Sequence, residues 1–195
     1  MTQEIINTVT VDTQLNVNEN HGTINAIKKT RFSKRFEKLN TEVASDDRYE
    51  GTMESLKYYL TKRDGIDMPT KLEDGGFKVS EIIEAARRKE KFAKRLEINR
   101  FFESAQWIDS QLFAIIKMKF EAHVDPLICN GSIKEEILKV VVQNVIEPVL
   151  EVINIEGEND EVLNYNAEDI FGMIYYLTEQ CHLNWKDYDS IQPSI

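Results

Sequence analysis

Two long stretches carry apolar residues at the spacing of an α-helix, and they limit the fold more than any other feature of the chain. From Glu81 to about Asn99, Ile82, Ala85, Ala86, Phe92, Ala93 and Leu96 form one stripe, interrupted once by Lys89. From Ser104 to Ala122, Trp107, Ile108, Leu112, Ile115, Ile116 and Phe120 form a second. A helix with such a stripe has to bury it against another element, so the two predict a helical body with a shared core. Ser80 is the expected cap of the first helix, with Glu81 and Glu84 in its first turn, where the helix dipole favours negative charge.

Shorter helices extend this body on both sides. Phe32, Phe36 and Leu39 recur at helical spacing, which predicts an amphipathic helix from about Arg31 to Ala44. Met53, Leu56 and Leu60, with Tyr59 beside them, predict another from Thr52 to Lys62. Residues 64–79 hold Asp64-Gly65, Pro69 and Asp74-Gly75-Gly76, and read as a connector built of turns. Ser132 and Glu135 have the spacing of a capping box opening a helix that runs to about Ile146, where Pro148 is expected to kink or end it, with a second short helix after it. Asn166 is expected to cap a last helix from Ala167 to about Gln180, and Cys181 to Trp185 to close the fold.

The N-terminus has a different period. Val9, Val11, Leu15 and Val17 alternate with polar residues, 18–22 is a turn cluster, and Thr23 to Ile27 can return as a second strand. A lone hairpin is marginal in water, so this one must pack on the body or pair with other chains. The expected fold class is therefore mainly α, a compact helical domain with a short N-terminal β-hairpin arm. The expected layout is an arm at 1–27, an amphipathic helical linker at 28–63, an all-α interaction domain at 64–187 and a loose tail at 188–195. Val9, Val11, Leu15, Val17 and Ile24 are the candidates for self-association, which would make the protein a homo-oligomer.

Charge is unevenly spread. Of 24 Lys/Arg and 34 Asp/Glu, residues 120–195 hold 3 and 15, a net of −12, which leaves 21 and 19 for residues 1–119, a net of +2. The acidic half repels phosphate, so any contact with nucleic acid belongs to the first half. Two basic runs stand there: Lys28, Lys29, Arg31, Lys34, Arg35 and Lys38, and Arg87, Arg88 and Lys91 continuing to Arg95. They are the candidate contacts to nucleic acid or to an acidic partner. The bland reading of the same runs is a solvated helix face, and the interleaved Glu37, Glu42, Glu84 and Glu90 favour it.

Catalytic signals are absent. The chain has no P-loop, GxGxxG, HExxH, CxxC or GxSxG pattern. Its two cysteines, Cys129 and Cys181, do not make a disulfide framework and read as packed thiols. Cys181-His182 with Cys129 and His123 is the one combination with the residue types of a zinc site, and a structural His182 is the reading preferred to it. The expectation is a non-enzyme with no cofactor and no metal. No apolar run approaches the roughly 20 residues of a membrane span, and Met1 to Val11 lacks the features of a signal peptide, so a cytoplasmic protein with no membrane contact is expected.

Several stretches occur together in a fixed order: Gly75-Gly76, Ala86-Arg87-Arg88-Lys89-Glu90-Lys91-Phe92-Ala93-Lys94, Glu103-Ser104-Ala105-Gln106, Pro126-Leu127-Ile128, Tyr176-Leu177-Thr178 and Cys181-His182-Leu183-Asn184-Trp185. Through them residues 70–187 resemble the helical C-terminal modules of bacterial ABC-three-component defence systems, the Lamassu-like anti-phage group. Gly22-Thr23-Ile24-Asn25 is similar to the segment that precedes such modules. The resemblance implies a chain that links an SMC-like ABC ATPase to an effector carrying a toxic enzyme, and it carries over no catalytic residue. It also implies a departure from the usual effector, since no enzymatic domain is expected in front. The leading expectation is thus an adaptor or assembly subunit with the ATPase and the effector as protein partners. The alternative is a nucleic-acid-binding regulatory protein that uses the basic helices at 28–38 and 87–95.

Overall fold

The structure is a computed structural model that describes residues 29–63 and 65–188. The described residues form α1 (Arg31–Ser45), α2 (Glu54–Leu60), α3 (Met68–Asp74), α4 (Val79–Asn99), α5 (Glu103–His123), α6 (Asp125–Cys129) and α7 (Lys134–Val140), followed by a π-helical segment (Val141–Ile146), α8 (Glu147–Glu156) and α9 (Ala167–Glu179). There is no strand among them. The fold is mainly helical, as the periodicity predicts. The proposed hairpin arm, with Val9, Val11, Leu15, Val17 and Ile24, lies outside the described residues.

Helix α5 runs through the middle. Ala105, Ile108, Leu112, Phe113, Ile116 and Phe120 are all inaccessible to solvent. Helices α1, α2 and the π segment pack around it, and α4 and α9 pack on each other beside it. The α4–α9 approach requires glycine at 172: a Cβ there would lie 2.7 Å from Phe92 Cβ and 2.8 Å from the Arg88 carbonyl oxygen. Phe92, Phe113 and Tyr176 join the two layers, with Phe113 and Tyr176 stacked 5.8 Å apart. The 28–63 segment supplies Phe36, Leu39 and Leu56 to this same core.

Because α5 is enclosed, its polar residues are buried too, and they tie the surrounding loops. The Glu42 carboxylate on α1 accepts from the Ser104 amide at 3.0 Å and the Ser104 hydroxyl at 2.9 Å. Gln106 accepts from the Met53 amide at 2.7 Å and donates to the carbonyls of Gly51 and Arg100 at 2.7 and 2.5 Å. A buried polar group without such partners would cost free energy, so these bonds are a condition of the packing.

Three local expectations are corrected. The turn-rich connector 64–79 contains α3, where Asp67 caps by accepting from the Thr70 amide at 2.9 Å and Pro69 occupies the first turn. Turn-forming residues therefore bracket a helix as its cap and exit. Ser80 lies inside α4: the helix starts at Val79, and the Glu81 carboxylate reaches back to the Lys78 amide at 2.6 Å. Ser132 caps nothing, since α7 begins at Lys134 without a side-chain cap. That start is fixed from outside, by Lys134 donating to Glu81 at 2.8 Å and lying 5.6 Å from the Phe77 ring. As expected, the regular winding is interrupted ahead of Pro148: a π segment ends at Ile146, the Glu147 amide bonds the Val142 carbonyl, and the short helix α8 follows with Pro148 in its first turn. The wider turn spares the proline ring the clash it would meet in a regular α-helix. Asn166 does cap α9 as expected, accepting from the Glu168 amide at 2.9 Å. No helix among the described residues is long and apolar enough to cross a membrane.

Candidate docking surface

The two basic runs separate in space onto different acids. On α1, Lys29 pairs with Glu37 at 2.5 Å, Arg35 with Glu103 at 3.7 Å, and Lys38 with Glu103 and Glu42 at 2.5 and 3.0 Å. The hydrogen bonds that Lys38 donates, to Glu103 first and then to Glu42, hold its ammonium above the usual pKa. Arg35 also stacks over Trp107, 5.4 Å from the ring centre. Arg31 and Lys34 are exposed and enter no ion pair among the described residues. Lys28 lies outside the described residues.

On α4 the run turns towards α9. Arg87 pairs with Glu84 at 2.5 Å and Glu168 at 3.1 Å, and Arg88 with the same two carboxylates at 3.2 and 3.0 Å. Lys91 and Arg95 reach Asp169 at 3.9 and 2.7 Å. The bond from Arg87 holds Glu84 below the usual carboxylate range. Most of these cations therefore hold the protein together instead of facing solvent uncommitted. Exposed pairs of this kind contribute little each, but Asp169 is buried, so its pairing to Arg95 matters more.

The cysteines and histidines do not converge. Cys129 is exposed and Cys181 buried, its Sγ 3.4 Å from the Ile66 carbonyl. Among the described residues no group of three or more His, Cys, Asp or Glu is placed to hold a metal. His182 packs against the paired rings of Tyr58 and Tyr59, at 5.2 and 5.3 Å. Burial, then the charges of Arg63 and Lys117, push its pKa down to about 4, against a weaker opposing effect of the Tyr58 and Tyr59 carbonyls. It borders a polar cleft of about 260 Å³ with Asp125, whose pKa burial and Glu121 push up to about 6.

Two apolar grooves flank α4. One, of about 390 Å³, runs between α2 and α4 over Leu56, Leu60, Ala93, Leu96 and Tyr176. The other, of about 410 Å³, lies between α4 and the Leu138–Val142 stretch of α7 and the π segment, with Phe171 and Tyr175 of α9 also lining it. Phe77, Ala85, Leu138 and Val142 complete its apolar surface, and Arg88 lies 4.7 Å above the Phe171 ring. On the rod that α7, the π segment and α8 form, Glu136, Glu147 and Glu151 are exposed and enter no ion pair among the described residues.

One buried group escaped the sequence reading. Asp109, fully buried on α5, accepts from the Tyr165 hydroxyl at 2.7 Å, and burial pushes its pKa up to about 7. The signal for it was present: Ala105, Ile108, Leu112 and Phe113 surround positions 106, 109 and 110 so closely that no polar face remains for them.

What the described residues form is a helical body with apolar grooves bordered by charge. Residues 67–185 match the family described as C-terminal domain 9 of the ABC-three component (ABC-3C) systems, which is more than half of the chain. The chain belongs to this family, as the order of its motifs predicts. No curated protein and no solved structure matches the chain.

Proposed function

We propose that this chain is a non-catalytic adaptor or assembly subunit of a bacterial anti-phage defence complex, joining an SMC-like ABC ATPase to an effector in the cytoplasm. The observation that carries the reading is the family match across the helical body, from α3 to Trp185. The apolar grooves on either side of α4 support it, since such surfaces suit contact with protein. The pairing of Arg87, Arg88, Lys91 and Arg95 with Glu84, Glu168 and Asp169 supports it too, because cations held by acids are poor phosphate contacts.

The test is affinity purification of the full tagged chain from cells that express the neighbouring genes. The expected result is a stable complex containing the ATPase. An ATPase–effector complex that assembles fully without this chain would remove the adaptor role. A second reading, nucleic-acid binding, keeps one specific support in the unpaired Arg31 and Lys34. It predicts a mobility shift at low salt that charge reversal of Lys34 and Arg31 abolishes.

A further inference from the structure

We propose that the cleft walled by Arg63, Asp125, His182 and Asn184 is a binding site for a small zwitterion, a free α-amino acid with a short apolar side chain. The cleft holds about 260 Å³ and is enclosed by the C-terminal part of α5, α6, the segment after α2 and residues 182–188. That lies under the roughly 300–1,000 Å³ of sites for drug-sized ligands and suits a molecule of few atoms. Its walls carry polar atoms that the fold leaves unsatisfied. Asn184 Oδ1 and both ring nitrogens of His182 are closed to bulk water and have no hydrogen-bond partner. The Tyr58 and Tyr59 carbonyls lie close to the imidazole without meeting its nitrogens in hydrogen-bonding geometry. Buried polar groups in a folded protein are nearly always paired, so unpaired ones along one cleft call for a partner from outside the chain.

Charge selects the ligand. Arg63, Lys117, Glu121, Asp125, Lys186 and Asp187 line the cleft. Four of them are engaged: Lys117 bonds Glu121, Lys186 reaches Asp74 at 3.9 Å, and Asp187 has a contact of its own. Arg63 and Asp125 are left, and neither enters an ion pair among the described residues. Arg63 is held on the Tyr58 ring, 4.3 Å from its centre, and its amide donates to the Gln180 carbonyl at 3.3 Å. Asp125 is half-buried, and burial pushes its pKa up to about 6, so its carboxylate lacks a cation that would stabilise it. Two opposite charges that line one cleft without neutralising each other fit a ligand that brings a carboxylate to one and an ammonium to the other. His182 adds no third charge, because burial and the charges of Arg63 and Lys117 keep it neutral at pH 7. Ile128 and Leu183 supply an apolar wall, which favours a side chain such as that of leucine.

The test is calorimetric titration of L-leucine into the full chain, read beside the rate at which a maleimide modifies Cys129. Cys129 is exposed on the same cleft and Cys181 is buried, so the reactive thiol reports whether the cleft is filled. The expected result is a Kd of about 1 mM or tighter, with slower modification of Cys129. Acetate and methylammonium, which each carry one of the two charges, are expected to do neither at the same concentration. Arg63→Gln and Asp125→Asn each remove one charge, and each is expected to weaken leucine binding about ten-fold. Neither variant breaks an ion pair of the fold. Absence of both heat and protection with leucine overturns the proposal. So does leucine binding that either variant leaves undiminished, or acetate or methylammonium binding as strong as that of leucine. Leucine binding that leaves Cys129 equally reactive overturns it too, because the ligand then sits elsewhere. The outcome is independent of the adaptor reading, which co-purification of the ATPase tests separately.

Discussion

The Tyr165 hydroxyl donates to Asp109 Oδ1 at 2.7 Å in a part of the core that water does not reach. The second carboxyl oxygen, Oδ2, has no hydrogen-bond partner. Burial raises the Asp109 pKa to about 7, against the opposing influence of the Tyr165 bond and the Arg95 charge. The folded protein therefore holds a proton there that the unfolded chain releases near pH 4. Stability linked to this proton is present below about pH 4 and is lost as pH rises through about 7. Replacing Asp109 by Asn removes the titration. The expected outcome is an Asp109→Asn variant whose stability relative to the natural chain grows from pH 5 to pH 8, measured by urea unfolding at each pH. A difference that stays constant over that range would show that Asp109 is ionised in the fold.

His182 works in the opposite direction. Its folded pKa of about 4 lies below the unfolded value, so the neutral ring is the form that folds. Stability from it is complete above about pH 6.5 and is lost as pH falls towards 4. A His182→Gln variant is expected to lose less stability than the natural chain between pH 6.5 and pH 4.5. Parallel unfolding curves for the two proteins over that interval would contradict the assignment.

Gly172 is required by contact with α4. The nearest neighbours of an added Cβ include the Arg88 carbonyl and Phe92 Cβ, neither of which is the far end of a flexible side chain. Gly172→Ala is expected to force α4 and α9 apart and to destabilise the protein by about 1–3 kcal/mol. Thermal unfolding reads this directly, with Gly65→Ala, where an added Cβ meets nothing within 4 Å, as the control.

Glu42 fastens α1 to the start of α5. Its carboxylate receives both the amide and the hydroxyl of Ser104 and lies 3.0 Å from Lys38. Glu42→Ala leaves the buried Ser104 donors without a partner and is expected to cost about 1–3 kcal/mol. Glu42→Gln, which keeps an acceptor, is expected to retain part of that stability. Equal losses for the two variants in denaturant titrations would mean that the charge, and not the acceptor, matters.

The elements most legible in the sequence were those with a clean helical period. Helices α4 and α5 declared themselves by their stripes, and α9 by its stripe together with Asn166. What escaped depended on distant residues. The start of α7 is set by Glu81, 53 residues away, so the local Ser132–Glu135 pattern pointed to the wrong residue. Short α3 was hidden because Asp67 and Pro69 signal a turn and a helix start equally well. For the surface, the cations were plain in the sequence, but their acids were not. Arg88 meets Glu168, and Arg95 meets Asp169, only after α9 has docked on α4. The grooves have no sequence signature of their own, since they are the spaces left between helices.

The π-helical segment has a consequence for phasing. Ile137, Val141, Val145, Val149 and Ile153 recur at every fourth position, and all five are buried. On an unbroken α-helix each such step turns the row by about 40°, so its last members would swing away from the core. The looser winding between Val141 and Ile146 takes that drift back and keeps the five on one side of the rod. The segment thus resets the rod's phase and lets an apolar repeat of four serve a helix whose own repeat is 3.6. Deleting one residue between 141 and 146 would leave Val149 about two regular α-turns beyond Val141, so the rod would wind as a plain α-helix and still keep Val149 and Ile153 on the core side.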